Sequence, residues 1–269
     1  MAWLHESDLE CEMLLDLKKL GFSCETGSDI SPERLKPVRA SFRDTILVSI
    51  LTESVRRLNP NLPQNAVDDV VDNIADAVFT EDIVAENRRI HDLMVKGVPV
   101  SFFVGDEEHS DRARLVDWQD RDNDWRAINQ VDIVGKEHRI PDVIIYLNGL
   151  PFVIIELKGT EGEDIKAAFN QIETYKADIP DLFRTSIFSV ISDGWTARYG
   201  TVSAGFDRFM RWRTVDGETL VTETEGLALK TLTEGLLSRR NLLDMLRWFV
   251  VFEDEGDGPI KKVAGYHQF

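Results

Sequence analysis

The sequence predicts an α/β fold: a mixed central sheet flanked by helices, with helical extensions at the amino and carboxyl ends. Three observations carry this expectation. Apolar residues recur at helical spacing through most of the first 96 positions, strand-like runs dominate residues 98–155, and a single helical stretch then crosses to a second strand region. With 269 residues and 43% hydrophobic composition, the chain is long enough to bury one large core or two modest ones.

Leu9, Met13, Leu14, Leu17 and Leu20 share one face of a helix over residues 7–20, which Gly21 stops. Residues 22–40 hold Pro32 and Pro37 and read as a loop with a short turn of helix. Helical periodicity returns over 42–58, 66–79 and 81–96, punctuated by Pro60 and Pro63. Strands are expected at 99–104, 114–118 and 125–134. Two apolar runs, 143–147 and 152–155, follow; both are rich in β-branched and aromatic residues, and the Asn148-Gly149 pair between them signals a hairpin. A polar loop over 159–164 leads to a helix at 165–177, which ends before Pro180. Strands at 186–191 and 195–199 flank the Ser192-Asp193-Gly194 turn, with another near 206–212. Helices span 226–248, and the acidic stretch 253–257 reads as a linker.

The hairpin carries the chemistry. Pro141-Asp142 precedes its first strand and Glu156-Leu157-Lys158 ends its second, and charged groups seldom end a buried strand without a role. Side chains alternate along a strand, so Glu156 and Lys158 share a face. A loop of Asn148 and Gly149 alone would set Asp142 opposite Ile155 and point the carboxylates apart. A three-residue loop, 148–150, or an equivalent bulge, sets Asp142 opposite Glu156, and that longer loop or bulge is expected. Asp142 and Glu156 are hard oxygen ligands suited to Mg²⁺ or Mn²⁺, with the Leu157 carbonyl available as a third ligand. Lys158 would stand beside an attacking water at a phosphodiester, where catalysis is mostly charge neutralisation and alignment. The tripeptide alone is a weak signal that an ordinary surface hairpin also satisfies; the Pro-Asp and the apolar strands around it raise its value.

Composition narrows the function classes. No apolar run approaches the roughly 20 residues of a membrane span, the first residues lack the layout of a secretion signal, and a cytoplasmic protein is expected. Cys11 and Cys24 are too few for a disulfide scaffold or a four-thiolate metal site. The phosphate-cradling Gly-rich loop followed by Lys and Ser or Thr is absent, so no ATP site of that type is expected. A formal net charge of −17 argues against the chain being the main grip on a nucleic acid, although basic clusters occur at 34–43, 56–57, 88–89 and 208–213.

With these residues in view, the chain resembles the amino-terminal part of the motor, or R, subunit of type I restriction endonucleases, a nuclease domain of the PD-(D/E)XK superfamily. The resemblance begins at Glu6-Ser7-Asp8-Leu9-Glu10, runs through Ser41-Phe42-Arg43 and Glu86-Asn87-Arg88-Arg89, and is densest over 139–158. It continues through Phe169-Asn170-Gln171-Ile172-Glu173-Thr174-Tyr175 to Val190-Ile191-Ser192-Asp193-Gly194. It implies a restriction-endonuclease-like fold over residues 1–220, with a helical insertion around 42–96, and a helical linker over 221–269. It also implies Asp142 and Glu156 as metal ligands and Lys158 as the catalytic lysine. Glu10 matches the metal-site acid of the first helix, with Glu6 as the fallback, and Gln171 and Tyr175 match a Gln-x-x-x-Tyr element that positions Lys158 or the DNA backbone. In the family a helicase-like motor follows, and none of these residues supplies it. The expected activity is Mg²⁺-dependent hydrolysis of double-stranded DNA, with recognition left to DNA methyltransferase and specificity subunits. The alternatives are a docking module inactive without those subunits and a free-standing defence or repair nuclease.

Overall fold

The computed structural model describes residues 5–76, 82–159, 165–221, 228–256 and 258–269. Helix α1 (Glu6–Lys19) opens with the Asp8 carboxylate accepting the His5 N–H at 3.0 Å, and the chain leaves it through Gly21 at φ +92°. Strand β1 (Ser23–Thr26) follows, and then helices α2 (Val48–Leu58), α3 (Gln64–Ala75) and α4 (Ile83–Lys96). A hairpin of β2 (Val98–Val104) and β3 (Glu107–Ala113) precedes β4 (Trp125–Asn129) and the short pair β5 (Ile133–Val134) and β6 (His138–Arg139). The central hairpin is β7 (Val143–Leu147) and β8 (Leu150–Leu157), and helix α5 (Ile165–Asp178) leads to β9 (Phe188–Ser192) and β10 (Ala197–Gly200). Helices α6 (Ala228–Gly235) and α7 (Arg239–Trp248) and a hairpin of β11 (Val250–Glu255) and β12 (Gly258–Val263) complete the described elements.

The main sheet has six strands among the described residues, in the order β1-β4-β7-β8-β9-β10. β1 is parallel to β4 and β8 to β9, and the other neighbours are antiparallel, so the sheet is mixed as expected. β7 and β8 lie at its centre and are buried along their whole length, which fits their near-continuous apolar sequence. One face, carrying Ile145, Val153, Ile155 and Leu157, packs with Leu9, Met13 and Leu17 of α1 and with α6 and α7. The other, carrying Ile144, Ile154 and Ile191, packs on Ile165, Ala168, Ile172 and Tyr175 of α5. Among the described residues, no helix is long and apolar enough to cross a membrane.

The central hairpin solves its register by a bulge. Asn148 and Gly149 both have positive φ, +52° and +84°, in a two-residue turn that pairs Leu147 with Leu150. Pro151, which has no N–H for the ladder, pairs with Tyr146, and the register then slips so that Ile145 meets Val153 and Val143 meets Ile155. The three-residue loop is therefore replaced by its alternative, a tight turn plus a bulge, and Asp142 still falls opposite Glu156. The turn is buried under α2: the Gly149 carbonyl accepts the Leu47 N–H at 2.9 Å, and a Cβ at Gly149 would lie 2.7 Å from the Leu47 oxygen.

Several expected elements differ. Residues 114–118 form no strand, because the Asn59 side chain takes both the Arg114 N–H and its carbonyl, and Asn148 takes the Leu115 carbonyl. Strand β1 lies inside the expected loop, and β3 was hidden because its exposed, charged side chains show no apolar alternation. Helix α2 starts at Val48, not near 42. Near 206–212 only Met210 bridges Tyr199; Phe206 and Phe209 instead turn in to stack edge-on against Phe169. The polar loop at 159–164 and the helix ends near 79–81 and 226 fall largely outside the described residues.

The tail expected as a helical linker contains α6 and α7 and then the β11–β12 hairpin, which takes in the acidic stretch through Glu255. The hairpin is held to the core by Lys261, whose buried Nζ donates to Asn87 Oδ1 at 2.8 Å and to the Ser186 carbonyl at 2.7 Å. Among the described residues no carboxylate pairs with this ammonium group, and burial pushes its pKa down to about 7; the groups around it are neutral Asn87, the Phe252 ring and His91, itself held well below its ordinary value by burial and by Lys261. The unfolded chain therefore holds the Lys261 proton more tightly than the folded chain between pH 7 and about 10.4. Stability is penalised in full below pH 7 and recovers as pH rises through that window. Urea midpoints of the parent and Lys261→Met proteins should show the parent gaining relative to the variant from pH 7 to 9.5, by on the order of 1 kcal/mol per pH unit. A pH-independent difference would refute a buried, depressed Lys261.

Candidate active site

Three strands end together at one end of the sheet. β7 begins where antiparallel β8 ends, and β9, parallel to β8, ends beside it with Ser192 paired to Leu157. Asp142 and Glu156 sit at that end with only 5% and 2% of their surface exposed. Asp142 Oδ2 accepts the Leu157 N–H at 2.7 Å, and the Asp142 carbonyl accepts the Gln130 N–H at 3.0 Å. Gln130 is itself in the left-handed region at φ +53°, and a Cβ on its neighbour Gly27 would lie 2.0 Å from the Gln130 oxygen, so glycine there lets this loop close on the site. Glu156 is held at both oxygens: Oε1 by Lys158 Nζ at 2.8 Å and Oε2 by the Tyr175 hydroxyl at 2.9 Å. Lys158 Nζ also reaches Glu6 Oε2 at 3.4 Å.

The electrostatics of this cluster are lopsided. Burial, then repulsion from Glu156, pushes the Asp142 carboxyl up to about 8. Burial likewise raises Glu156, against the pull of Lys158 and Tyr175. Burial works against the Lys158 ammonium, but the adjacent Glu156 carboxylate outweighs it and holds its pKa above the ordinary value. Burial and the neighbouring Glu156 also raise the Tyr175 phenol, keeping it a hydrogen-bond donor. Ionising both buried carboxylates beside one ammonium would leave an excess of negative charge in a low-dielectric place, so Asp142 holds its proton to higher pH. That donor set fits a hard divalent cation, which would relieve the repulsion and accept oxygen ligands.

Asp142, Glu156, Lys158 and the Leu157 backbone thus come together, and Tyr175 joins them through Glu156 rather than through Lys158. The half-buried Gln171 side chain, one turn earlier on α5, hydrogen-bonds with Tyr175. Glu10 is placed differently from Glu6: its buried carboxylate accepts the Asn129 amide at 2.5 Å and the Gln130 amide at 2.7 Å. Among the described residues, no group of three acids, histidines or cysteines stands ready to hold a metal. Glu10 reaches the carboxylate pair only through Gln130, while Glu6 is the acid of α1 that touches Lys158. Sequence reasoning missed Asn129 and Gln130; nothing in an Asn-Gln pair after a strand marks it as a clamp.

Residues 4–208 match the family described as type I restriction enzyme R protein N terminus. The chain is 39% identical to the type I restriction enzyme HindI endonuclease subunit of Haemophilus influenzae, over 99% of this chain and 26% of that protein. It is 30% identical to the EcoprrI endonuclease subunit of Escherichia coli, over 94% of this chain and 76% of the relative. Identity to the putative MjaIXP endonuclease subunit of Methanocaldococcus jannaschii is 27%, over 94% of this chain and 26% of the relative. The chain thus spans 26% of the HindI and MjaIXP subunits. A family match across most of the chain, together with a mixed sheet that carries Asp142, Glu156 and Lys158 at one end, shows that this chain belongs to the family of type I restriction enzyme R-subunit amino-terminal domains.

Proposed function

We propose that this chain is the endonuclease domain of a type I restriction R subunit and hydrolyses phosphodiester bonds of double-stranded DNA. The observation that carries this reading is the buried Asp142–Glu156 carboxyl pair beside Lys158, a site that ionises in full only when a cation takes the place of a proton. Asp142, Glu156 and the Leu157 carbonyl are the groups that would hold Mg²⁺ or Mn²⁺. When bound, the cation would supply charge neutralisation at the scissile phosphate and polarise the attacking water. Lys158 presents its ammonium on the same face, orienting that water and offsetting charge that develops on the phosphate. Tyr175 holds Glu156 in place, Gln171 supports Tyr175, and Glu10 fixes Gln130 and, through it, Asp142.

The net charge of −17 favours a domain that relies on others to bring DNA to it. DNA methyltransferase and specificity subunits would supply recognition, and a motor elsewhere in the protein would supply ATP-driven movement. The test is plasmid cleavage by the full protein that carries this chain, with and without those subunits, in Mg²⁺ and in EDTA. Nicked or linear product is expected in Mg²⁺ with partners present and none in EDTA. An assembled complex that never cuts in Mg²⁺ would instead support the docking-module reading.

A further inference from the structure

Two exposed apolar residues lie in the segments that flank the strand ends carrying the carboxylate pair. Trp195, 48% exposed, lies in the turn between β9 and β10, and Ile140, 40% exposed, stands two residues before Asp142. The Trp195 turn is braced by hydrogen bonds of its own. Ser192 Oγ spans it, accepting the Gly194 N–H at 2.9 Å and donating to the Thr196 carbonyl at 2.8 Å, and Asp193 Oδ1 accepts the Thr196 N–H at 2.6 Å. It is bonded to the strand end that carries the site, because the Lys158 N–H donates to the Ser192 carbonyl at 2.8 Å. One strand spacing, about 4.8 Å, separates that strand end from β9.

A single exposed apolar residue is ordinary. Trp195 differs because its turn is held by hydrogen bonds and adjoins the proposed catalytic strand. A strand of nucleic acid advances about 3.4 Å per nucleotide, so a phosphate seated at Asp142, Glu156 and Lys158 carries its neighbouring nucleotides across this rim. A chain of net charge −17 gains little there from phosphate neutralisation, and non-ionic contact is what the rim offers.

We propose that Trp195 is a substrate-contacting residue whose indole packs against the sugar and base of the nucleotide flanking the scissile phosphate on the β9 side, with Ile140 on the β7 side. This rests on the nuclease reading above. In the full protein assembled with its partner subunits, Trp195→Ala is expected to raise KM for duplex DNA about 10-fold, with kcat within about threefold and an unchanged melting temperature. Trp195→Phe should recover most of the loss. An unchanged KM in Trp195→Ala, or a Phe variant as impaired as the Ala one, overturns the inference while leaving the nuclease reading standing. If the parent protein does not cut, anisotropy titration of a labelled duplex in EDTA decides the matter: weaker binding by Trp195→Ala supports the contact, and equal binding overturns it.

Discussion

The Asp142→Asn protein should lose DNA cleavage by about 10³-fold, on the scale of losing a principal electrostatic group of a site, yet unfold at the same or a higher temperature than its parent. The reason is physical. Asp142 is 5% exposed and faces Glu156, and with its carboxyl pushed up to about 8 the folded chain must take up a proton there at neutral pH, a cost that folding must tolerate. Asparagine keeps an oxygen for the Leu157 N–H while removing the like-charge repulsion. A residue kept for folding behaves the opposite way, and groups retained for activity at a cost in stability mark functional sites. Lys158→Ala should lose cleavage about as far, but without the stability gain, because it strips the ammonium from Glu156, buried to 2% exposure. Paired plasmid assays and thermal melts of both variants in EDTA read this out. An Asp142→Asn protein that cuts like its parent, or melts several degrees below it, would remove the assignment.

Arg184→Leu should be the most destabilising single change among the polar groups outside the site, costing about 3 kcal/mol. Arg184 lies before β9, at the end of the sheet remote from Asp142. Its guanidinium reaches Glu86 at 3.0 Å and the carbonyls of Ile74, Ala75 and Asp76 at the end of α3. Burial works against the Glu86 carboxylate, but Arg89 and Arg184 together hold its pKa below the ordinary value. Leucine would leave Arg89 to neutralise Glu86 and would take the guanidinium from the helix-end carbonyls. The melting temperature should fall by about 6–12 °C, with cleavage per folded molecule unchanged. A melt indistinguishable from the parent would show the network to be dispensable.

Much of the site was legible because its determinants are local. Asn148-Gly149 between apolar runs forces a hairpin, the alternation of side chains puts Glu156 and Lys158 on one face, and Asp142 can meet them only in one register. The requirement for a slip in that register followed from the sequence; its form, a bulge beside Pro151, followed from the ladder. Gln171 and Tyr175 fell on one face of α5 by helical spacing, but that the Tyr175 hydroxyl would seize Glu156 depended on how α5 lies on the sheet. The first helix shows the limit most plainly. Glu6 and Glu10 are one helical turn apart and equivalent by pattern, and only the approach of Asn129 and Gln130 separates them.

By itself, then, the sequence determined the fold class, the central hairpin and the pairing of Asp142 with Glu156 and Lys158, because each rests on backbone period and turn chemistry over fewer than about 20 residues. Tertiary structure alone decided which acid of α1 meets Lys158, how Gln130 supports Asp142, that the tail returns as a hairpin pinned by Lys261, and that the turn carrying Trp195 follows a strand bonded to Lys158. The Glu10–Gln130, Glu6–Lys158 and Lys261–Asn87 contacts join residues 120, 152 and 174 positions apart, and their geometry is set by the packing of helices on both sheet faces, which no local pattern encodes.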